Sequence, residues 1–246
     1  EGVDPQSVFV TGNTVIDALH MALERAGGCP SLPAHLDSVV SQGKRLVLIT
    51  AHRRENWGQP IRNICAAARE LVARFPDIVA LYCAHPNPVV REVVSEELRG
   101  LPRAHVADFP GYLPFLALMQ RSHVILTDSG GIQEEAPTLG KPVLVLRNKT
   151  ERPEGIEAGV ALLCGTDTEQ IVRQATRLLS EEAEYRAMVS AGDPSTLLGT
   201  SPYGDGRASE RIRQAILYHF GRAAQQPQEF QYPPATGCVA EGRTGA

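Results

Sequence analysis

Residues 122–146 read SHVILTDSGGIQEEAPTLGKPVLVL. An apolar run ends in Asp128-Ser129-Gly130-Gly131. Two adjacent glutamates follow, Glu134 and Glu135, and a second apolar run starts at Val143. Both runs are apolar throughout rather than alternating, the pattern of strands buried on both faces of a parallel sheet. Strand, glycine turn, helix start and strand make one βαβ unit, and the same alternation extends in both directions. Candidate strands are Leu46–Thr50, Ile78–Cys83, Ala104–Ala107, Val124–Thr127, Val143–Leu146 and Ala161–Cys164. Helical patterns lie between them. Residues 60–75 repeat apolar positions at three and four, with Pro60 suited to a first helical turn. Residues 89–100 end on Gly100, a C-terminal cap, and residues 112–121 and 168–189 complete the set. The expected fold is therefore α/β, a doubly wound parallel sheet of Rossmann-like type. A Gly-, Pro- and Ser-containing stretch from Ser190 reads as a loop, and residues 208–222 as a last helix. These bounds give one domain over 1–222, followed by a polar segment, 223–246, expected to be a disordered tail.

The bulk numbers set limits on function. The chain has 246 residues, 43% hydrophobic and 21% charged, with a formal net charge of −4. That balance does not point to nucleic acid or an anionic membrane as partner. No apolar run is long enough to span a bilayer, and the acidic, polar start does not read as a signal peptide. The five cysteines, Cys29, Cys65, Cys83, Cys164 and Cys238, fit no zinc or redox spacing. They read as small hydrophobes in a reducing, cytoplasmic compartment, with no metal or cofactor expected. The opening EGVDPQSVFVTGN, with Glu at position 1, reads as a chain entered in mid-course, so a fragment of a larger protein is expected.

In a doubly wound sheet, ligands bind beyond the carboxyl ends of the strands. Five polar clusters fall there: TAHRRENWG, AHPNP, DFPGYLPF, DSGG and RNKTERPEG. In DSGGIQEE the glycines leave backbone N–H groups open to close approach at a helix start, an anion site most often used for phosphate. A glutamate one turn on could accept hydrogen bonds from the two hydroxyls of a ribose. A nucleotide would thus account for both the glycine pair and the carboxylate pair. The plainer reading is a tight turn with two acidic residues complementing the helix dipole, and the motif alone leaves both open. HRREN places His52, Arg53, Arg54 and Glu55 just past a strand. Arginine grips phosphate in a fork and histidine donates a hydrogen bond or shuttles a proton; a surface ion-pair cluster is the alternative. Taken alone, His85 reads as a structural histidine, and Tyr112 and Phe115 as core aromatics. Thr150, Glu151 and Arg152 suit a helix start with Pro153 in its first turn, or a hydroxyl and an arginine facing the phosphates. From the residues, the domain binds a nucleotide or nucleotide-sugar, and the chemistry stays undecided.

Five stretches together resemble the non-hydrolysing UDP-N-acetylglucosamine 2-epimerases: VTGNTVIDAL, TAHRRENWGQPIRNIC, ILTDSGGIQEEAPTLGKPVLVLRNKTERPE, EAGVALLCGTD and SPYGDGRASERI. The resemblance covers about residues 3–220. It implies the C-terminal portion of a GT-B architecture, two Rossmann-like domains with the nucleotide-sugar between them, plus the helix that crosses back. By that resemblance Ser129, Gly130 and Gly131 hold the UDP phosphates, Glu135 holds the ribose hydroxyls and Phe115 lies against the uracil region. Arg152 approaches the diphosphate or sugar, and His52 sits at the diphosphate as the catalytic residue of this half. A second UDP-N-acetylglucosamine can act as allosteric activator in this family, at positions matched by Arg53 and His85. The implied reaction inverts C2 to give UDP-N-acetylmannosamine through elimination and re-addition of UDP. Its acid/base carboxylates belong to the N-terminal domain, so this chain alone is expected to bind UDP weakly and not to epimerise. A homodimer is implied for the full-length protein. Pro86, Pro110 and an apparent insertion at 192–200 depart from the family pattern. The alternatives are the donor-nucleotide domain of a GT-B glycosyltransferase, a hydrolysing relative that releases the free sugar, and a non-catalytic nucleotide-sugar binding module.

Overall fold

The computed structural model describes residues 2–41, 45–191 and 201–232. Six parallel strands form one sheet: β1 (Arg45–Thr50), β2 (Ile78–Ala84), β3 (Ala104–Asp108), β4 (Ser122–Thr127), β5 (Val143–Val145) and β6 (Ala161–Leu163). Their spatial order is β3-β2-β1-β4-β5-β6. The chain steps outward from β1 on one side, then returns to place β4 against the other side of β1. The loops after β1 and β4 therefore diverge at a switch point, where an open α/β sheet leaves a crevice.

The helices are α1 (Thr14–Arg25), α2 (Ala34–Val40), α3 (Gln59–Arg74), α4 (Pro88–Glu97), α5 (Tyr112–Arg121), α6 (Gly130–Thr138), α7 (Pro153–Glu157), α8 (Thr168–Ser180), α9 (Glu182–Ala191) and α10 (Ala208–His219). They cover both faces of the sheet. On one face Val47, Ile49, Tyr82 and Leu126 pack with Ile64 and Leu71 of α3 and Ile171 of α8. On the other, Leu48, Leu81 and Ile125 meet Leu19 of α1 and Leu116 and Met119 of α5. Each such fully buried Leu or Ile contributes about 1.5–3 kcal/mol relative to exposure. β2 is buried along its whole length, whereas β3 and β6 are partly exposed because they are the sheet edges. The apolar-throughout pattern thus holds for the central strands and lapses at the margins.

Three differences from the sequence reading have identifiable causes. The helix read across 168–189 breaks at Glu181, which adopts an extended backbone (φ −109°, ψ 93°) and separates α8 from α9. The first helix, α1, does not stand out in the sequence, yet Ile16, Leu19 and Leu23 are buried, and the Asn13 side chain accepts from the Val15 N–H as its N-cap. Asp17 of α1 accepts from the backbone N–H groups of Ala208 and Ser209, so α1 caps α10 across the molecule. Residues 223–232, expected to belong to the tail, lie back on the domain. The Phe230 N–H donates to the Val10 carbonyl, and the Arg211 guanidinium lies over the Phe230 ring. The stretch 192–200 and residues 233–246, Cys238 among them, lie outside the described residues. Of the other cysteines, Cys65, Cys83 and Cys164 are buried free thiols and Cys29 is an exposed one.

Candidate nucleotide site at the carboxyl edge

The five polar clusters do meet at one edge, because all six strands point the same way. Asp128 is at the centre. It follows β4 immediately, and its side chain is wholly buried. One carboxylate oxygen, Oδ2, accepts from the His52 N–H (2.9 Å), the Arg53 N–H (2.9 Å) and Asn56 Nδ2 (2.8 Å). Asn56 also donates to the Leu146 carbonyl (3.1 Å). A single carboxylate thus ties the loop after β1 to the ends of β4 and β5. The Trp57 indole N–H donates to the His52 carbonyl (3.0 Å) and closes that loop from its far end.

Ser129 stands at the N-cap position of α6 but makes no side-chain hydrogen bond to the helix start. The first-turn N–H groups of such a helix have no intrahelical partner and present the positive end of its dipole. Two arginines converge on this point. A methyl placed on Gly130 would lie 3.5 Å from the guanidinium nitrogens of both Arg53 and Arg152, and 3.5 Å from Glu151 Oε1. Each arginine is oriented by the residues around it. Arg53 donates through Nε to the Asp128 carbonyl (2.8 Å) and through NH2 to Glu151 (2.9 Å). Arg152 pairs with Glu134. Arg147, itself bonded to Glu55 (2.7 Å), closes the network on Glu151. Two guanidinium groups beside this helix start have the chemistry that grips a phosphate oxyanion, with Glu151 and Glu134 as their counter-charges in the free chain.

The glutamate pair separates by task. Glu134 holds Arg152, while Glu135 accepts from the Tyr112 hydroxyl (2.7 Å). Burial, with Glu134 adding to it, raises the Glu135 carboxyl above its ordinary range, against the Tyr112 hydrogen bond. Tyr112 is 41% exposed and Phe109 50% exposed, whereas Phe115 is 4% exposed and packs its ring 5.1 Å from that of Phe109. Phe115 is thus a core residue beneath an exposed aromatic surface.

His52 and His85 stack, with ring centroids 5.1 Å apart. Burial pushes the His52 imidazole below its ordinary value. Asp128 opposes that shift, while His85 and Arg53 add to it. The residues expected at the site therefore fall into three adjoining groups: Arg53 and Arg152 around Ser129, Gly130 and Gly131; His52 against His85; and Glu135 beside Tyr112, above Phe115. Sequence reasoning missed Asp128 as the organising residue, Glu151 as the bridge between Arg53 and Arg147, and the hydroxyl of Tyr112. A carboxylate ending an otherwise apolar buried strand was the one available signal, since a buried charge is kept only where donors satisfy it. Among the described residues, no group of three or more His, Cys, Asp and Glu side chains is placed to hold a metal ion.

Comparison with known proteins adds to this geometry. A UDP-N-acetylglucosamine 2-epimerase from Bacillus subtilis is 45% identical over 230 residues, 94% of this chain. The chain spans 57% of the length of that relative. The S. aureus protein MnaA, solved in a co-structure with UDP, is 40% identical with a TM-score of 0.83, over 94% of this chain and 59% of its own. A UDP-GlcNAc 2-epimerase from Neisseria meningitidis, solved bound to UDP-GlcNAc, is 40% identical with a TM-score of 0.76, over 88% of this chain and 57% of its own. The C-terminal domain of a Francisella tularensis glycosyl transferase, 15% identical with a TM-score of 0.50, shares the fold alone. The sheet is thus that of a Rossmann-like GT-B C-terminal domain. The sequence model of UDP-N-acetylglucosamine 2-epimerase matches residues 1–217. The chain belongs to the UDP-N-acetylglucosamine 2-epimerase family.

Proposed function

We propose that this chain is the nucleotide-diphosphate half of an enzyme interconverting UDP-N-acetylglucosamine and UDP-N-acetylmannosamine. One observation carries the reading: Arg53 and Arg152 converge on Gly130 at the uncapped start of α6. The backbone N–H groups of Gly130 and Gly131, with Ser129, take the diphosphate, and Arg152 reaches it from the side. Glu135, already bonded to one hydroxyl from Tyr112, takes the ribose hydroxyls. The exposed surface of Phe109 and Tyr112 above Phe115 takes the uracil.

Inversion at C2 proceeds by elimination. A carboxylate removes the C2 proton, the C2–H electrons form a C1–C2 double bond, and the C1–O bond breaks to release UDP. Re-addition of UDP at C1, with a proton delivered to the other face of C2, gives the epimer. The proton transfers need carboxylates held against the sugar ring; these come from the portion of the relatives that this chain does not match. The present half stabilises the departing diphosphate with Arg152, the α6 N-terminus and His52. On this reading the chain alone binds UDP and does not epimerise. Arg53 and His85, which flank His52, suit a second UDP-N-acetylglucosamine as activator, and the complete enzyme is a cytoplasmic homodimer.

Calorimetric titration of UDP into this chain, beside Glu135→Ala, tests the reading. Saturable binding weakened about tenfold or more in the variant is expected from the loss of hydrogen bonds to a charged acceptor. Equal binding by both proteins would remove Glu135 from the nucleotide site.

A further inference from the structure

Asp128 uses only half of its carboxylate. Oδ2 accepts three hydrogen bonds, whereas Oδ1 is buried without a hydrogen-bond partner. That oxygen faces His52 Nδ1 at 3.7 Å. A fully buried carboxylate oxygen with no donor is costly to retain, and the imidazole is the ring it faces. The loop cannot carry His52 away, because its own N–H and that of Arg53 are fixed to Oδ2 of the same carboxylate. The His85 ring lies against one face of the imidazole and limits its rotation.

We propose that Asp128 is a positioning residue for His52: Oδ1 accepts from Nδ1–H and fixes the tautomer, so that Nε2 is the ring nitrogen presented to the ligand. The second half of this statement rests on the nucleotide reading, since Asp128 immediately precedes the Ser129–Gly131 turn. The arrangement is that of a carboxylate orienting a histidine by one nitrogen while the other works. A neutral ring offers Nε2 as an acceptor. When a diphosphate brings its negative charge to the turn, the half-exposed ring takes a proton from solvent at Nε2 and donates that N–H to the leaving oxygen as a hydrogen bond, with Asp128 stabilising the imidazolium from behind.

Asp128→Asn separates this role from folding. The amide oxygen of Asn can still accept from His52 N–H, Arg53 N–H and Asn56. Its NH₂ group then faces Nδ1 as a donor, which forces the proton to Nε2. Long-range ¹H–¹⁵N spectra of the histidine rings at pH 8, with His52 assigned through His52→Gln, read the tautomer directly. The expected result is Nδ1–H in the wild-type chain and Nε2–H in Asp128→Asn. The His52 titration midpoint should also fall by about one pH unit or more in the variant, for loss of a carboxylate within reach of the ring. Arg53 and His85, the other groups that face the ring, are unchanged by the substitution and cannot produce that fall. A wild-type His52 in the Nε2–H form overturns the proposal without reference to any variant. An unchanged tautomer in a folded Asp128→Asn chain also overturns it. Adding UDP tests the ligand-facing half: saturable binding that leaves the Nε2 resonance unmoved refutes that placement. Failure of UDP to bind counts against the nucleotide reading, and the tautomer result is unaffected by it.

Discussion

Gly130→Ala should separate the stability of the domain from its binding. Gly130 is the first residue of α6, and its backbone is outside the left-handed region, so alanine adopts it without strain. The added methyl would meet Arg152, Arg53 and Glu151 at 3.5 Å, ordinary van der Waals contact, so the free protein has room for it. Replacing helical glycine by alanine gains up to about 1 kcal/mol through the unfolded chain and helix propensity. The variant should therefore be as stable as the wild type, or more stable by up to about 1 kcal/mol. The ligand fares differently. A phosphate oxygen bonded to a first-turn N–H needs a heavy-atom approach of about 2.9 Å, through the space the methyl fills. Losing one charge-assisted hydrogen bond costs about 1.5–3 kcal/mol, or a rise in Kd of about 10- to 150-fold. Urea denaturation followed by tryptophan fluorescence reads the stability; calorimetric titration with UDP reads the affinity. An alanine variant of unchanged stability that binds UDP within twofold of wild type refutes the placement of the phosphates at this turn.

Gly155→Ala should do the reverse. Its methyl would come 2.4 Å from the hydroxyl oxygen of the buried Tyr203, and overpacking of this kind costs about 1–3 kcal/mol; combining it with Tyr203→Phe, which removes that oxygen, should recover part of the loss in urea midpoint. Asp17→Ala leaves the N–H groups of Ala208 and Ser209 without their cap and should cost about 1–2 kcal/mol, read as a lower thermal midpoint. Burial lowers the pKa values of His20, His52, His105 and His123. Above the ordinary histidine value of about 6.5 both states are neutral and nothing changes. Below it the unfolded chain takes protons that the folded chain resists, so the urea midpoint should drop between pH 7.5 and pH 5.5. Glu135, whose carboxyl burial raises, acts in the opposite sense as the pH falls further toward the ordinary carboxylate range, and Glu135→Gln should remove that contribution.

The parts of this molecule legible in the sequence are those encoded by local pattern. Six strands, the helices between them and the glycine turn after β4 each carry their own periodicity or their own turn residues, and parallel pairing then sends every functional loop to one edge. Asp128 illustrates what local pattern does not carry. Its three donors come from His52, Arg53 and Asn56, more than seventy positions away, and nothing at 128 distinguishes a carboxylate that organises a loop from one that ends a strand. The division of Glu134 and Glu135 has the same character, since adjacent identical side chains acquire different partners only when Arg152 and Tyr112 arrive from separate elements. Edge exposure of β3 and β6 follows from strand order, a property of the whole sheet.

The cap that Asp17 places on α10 bears on how the chain is made. A helix whose first N–H groups are satisfied by a side chain 191 positions earlier has no complete start while it leaves the ribosome. Closing that loop costs only a few kcal/mol of entropy, because the cost rises with the logarithm of length, but the step must wait until β1 to β6 have been synthesised and paired. Val10 and Phe230 join in the same closure. The two outermost described segments should therefore acquire hydrogen-exchange protection together and last, after a sheet that has already gathered the phosphate turn and the His52 loop.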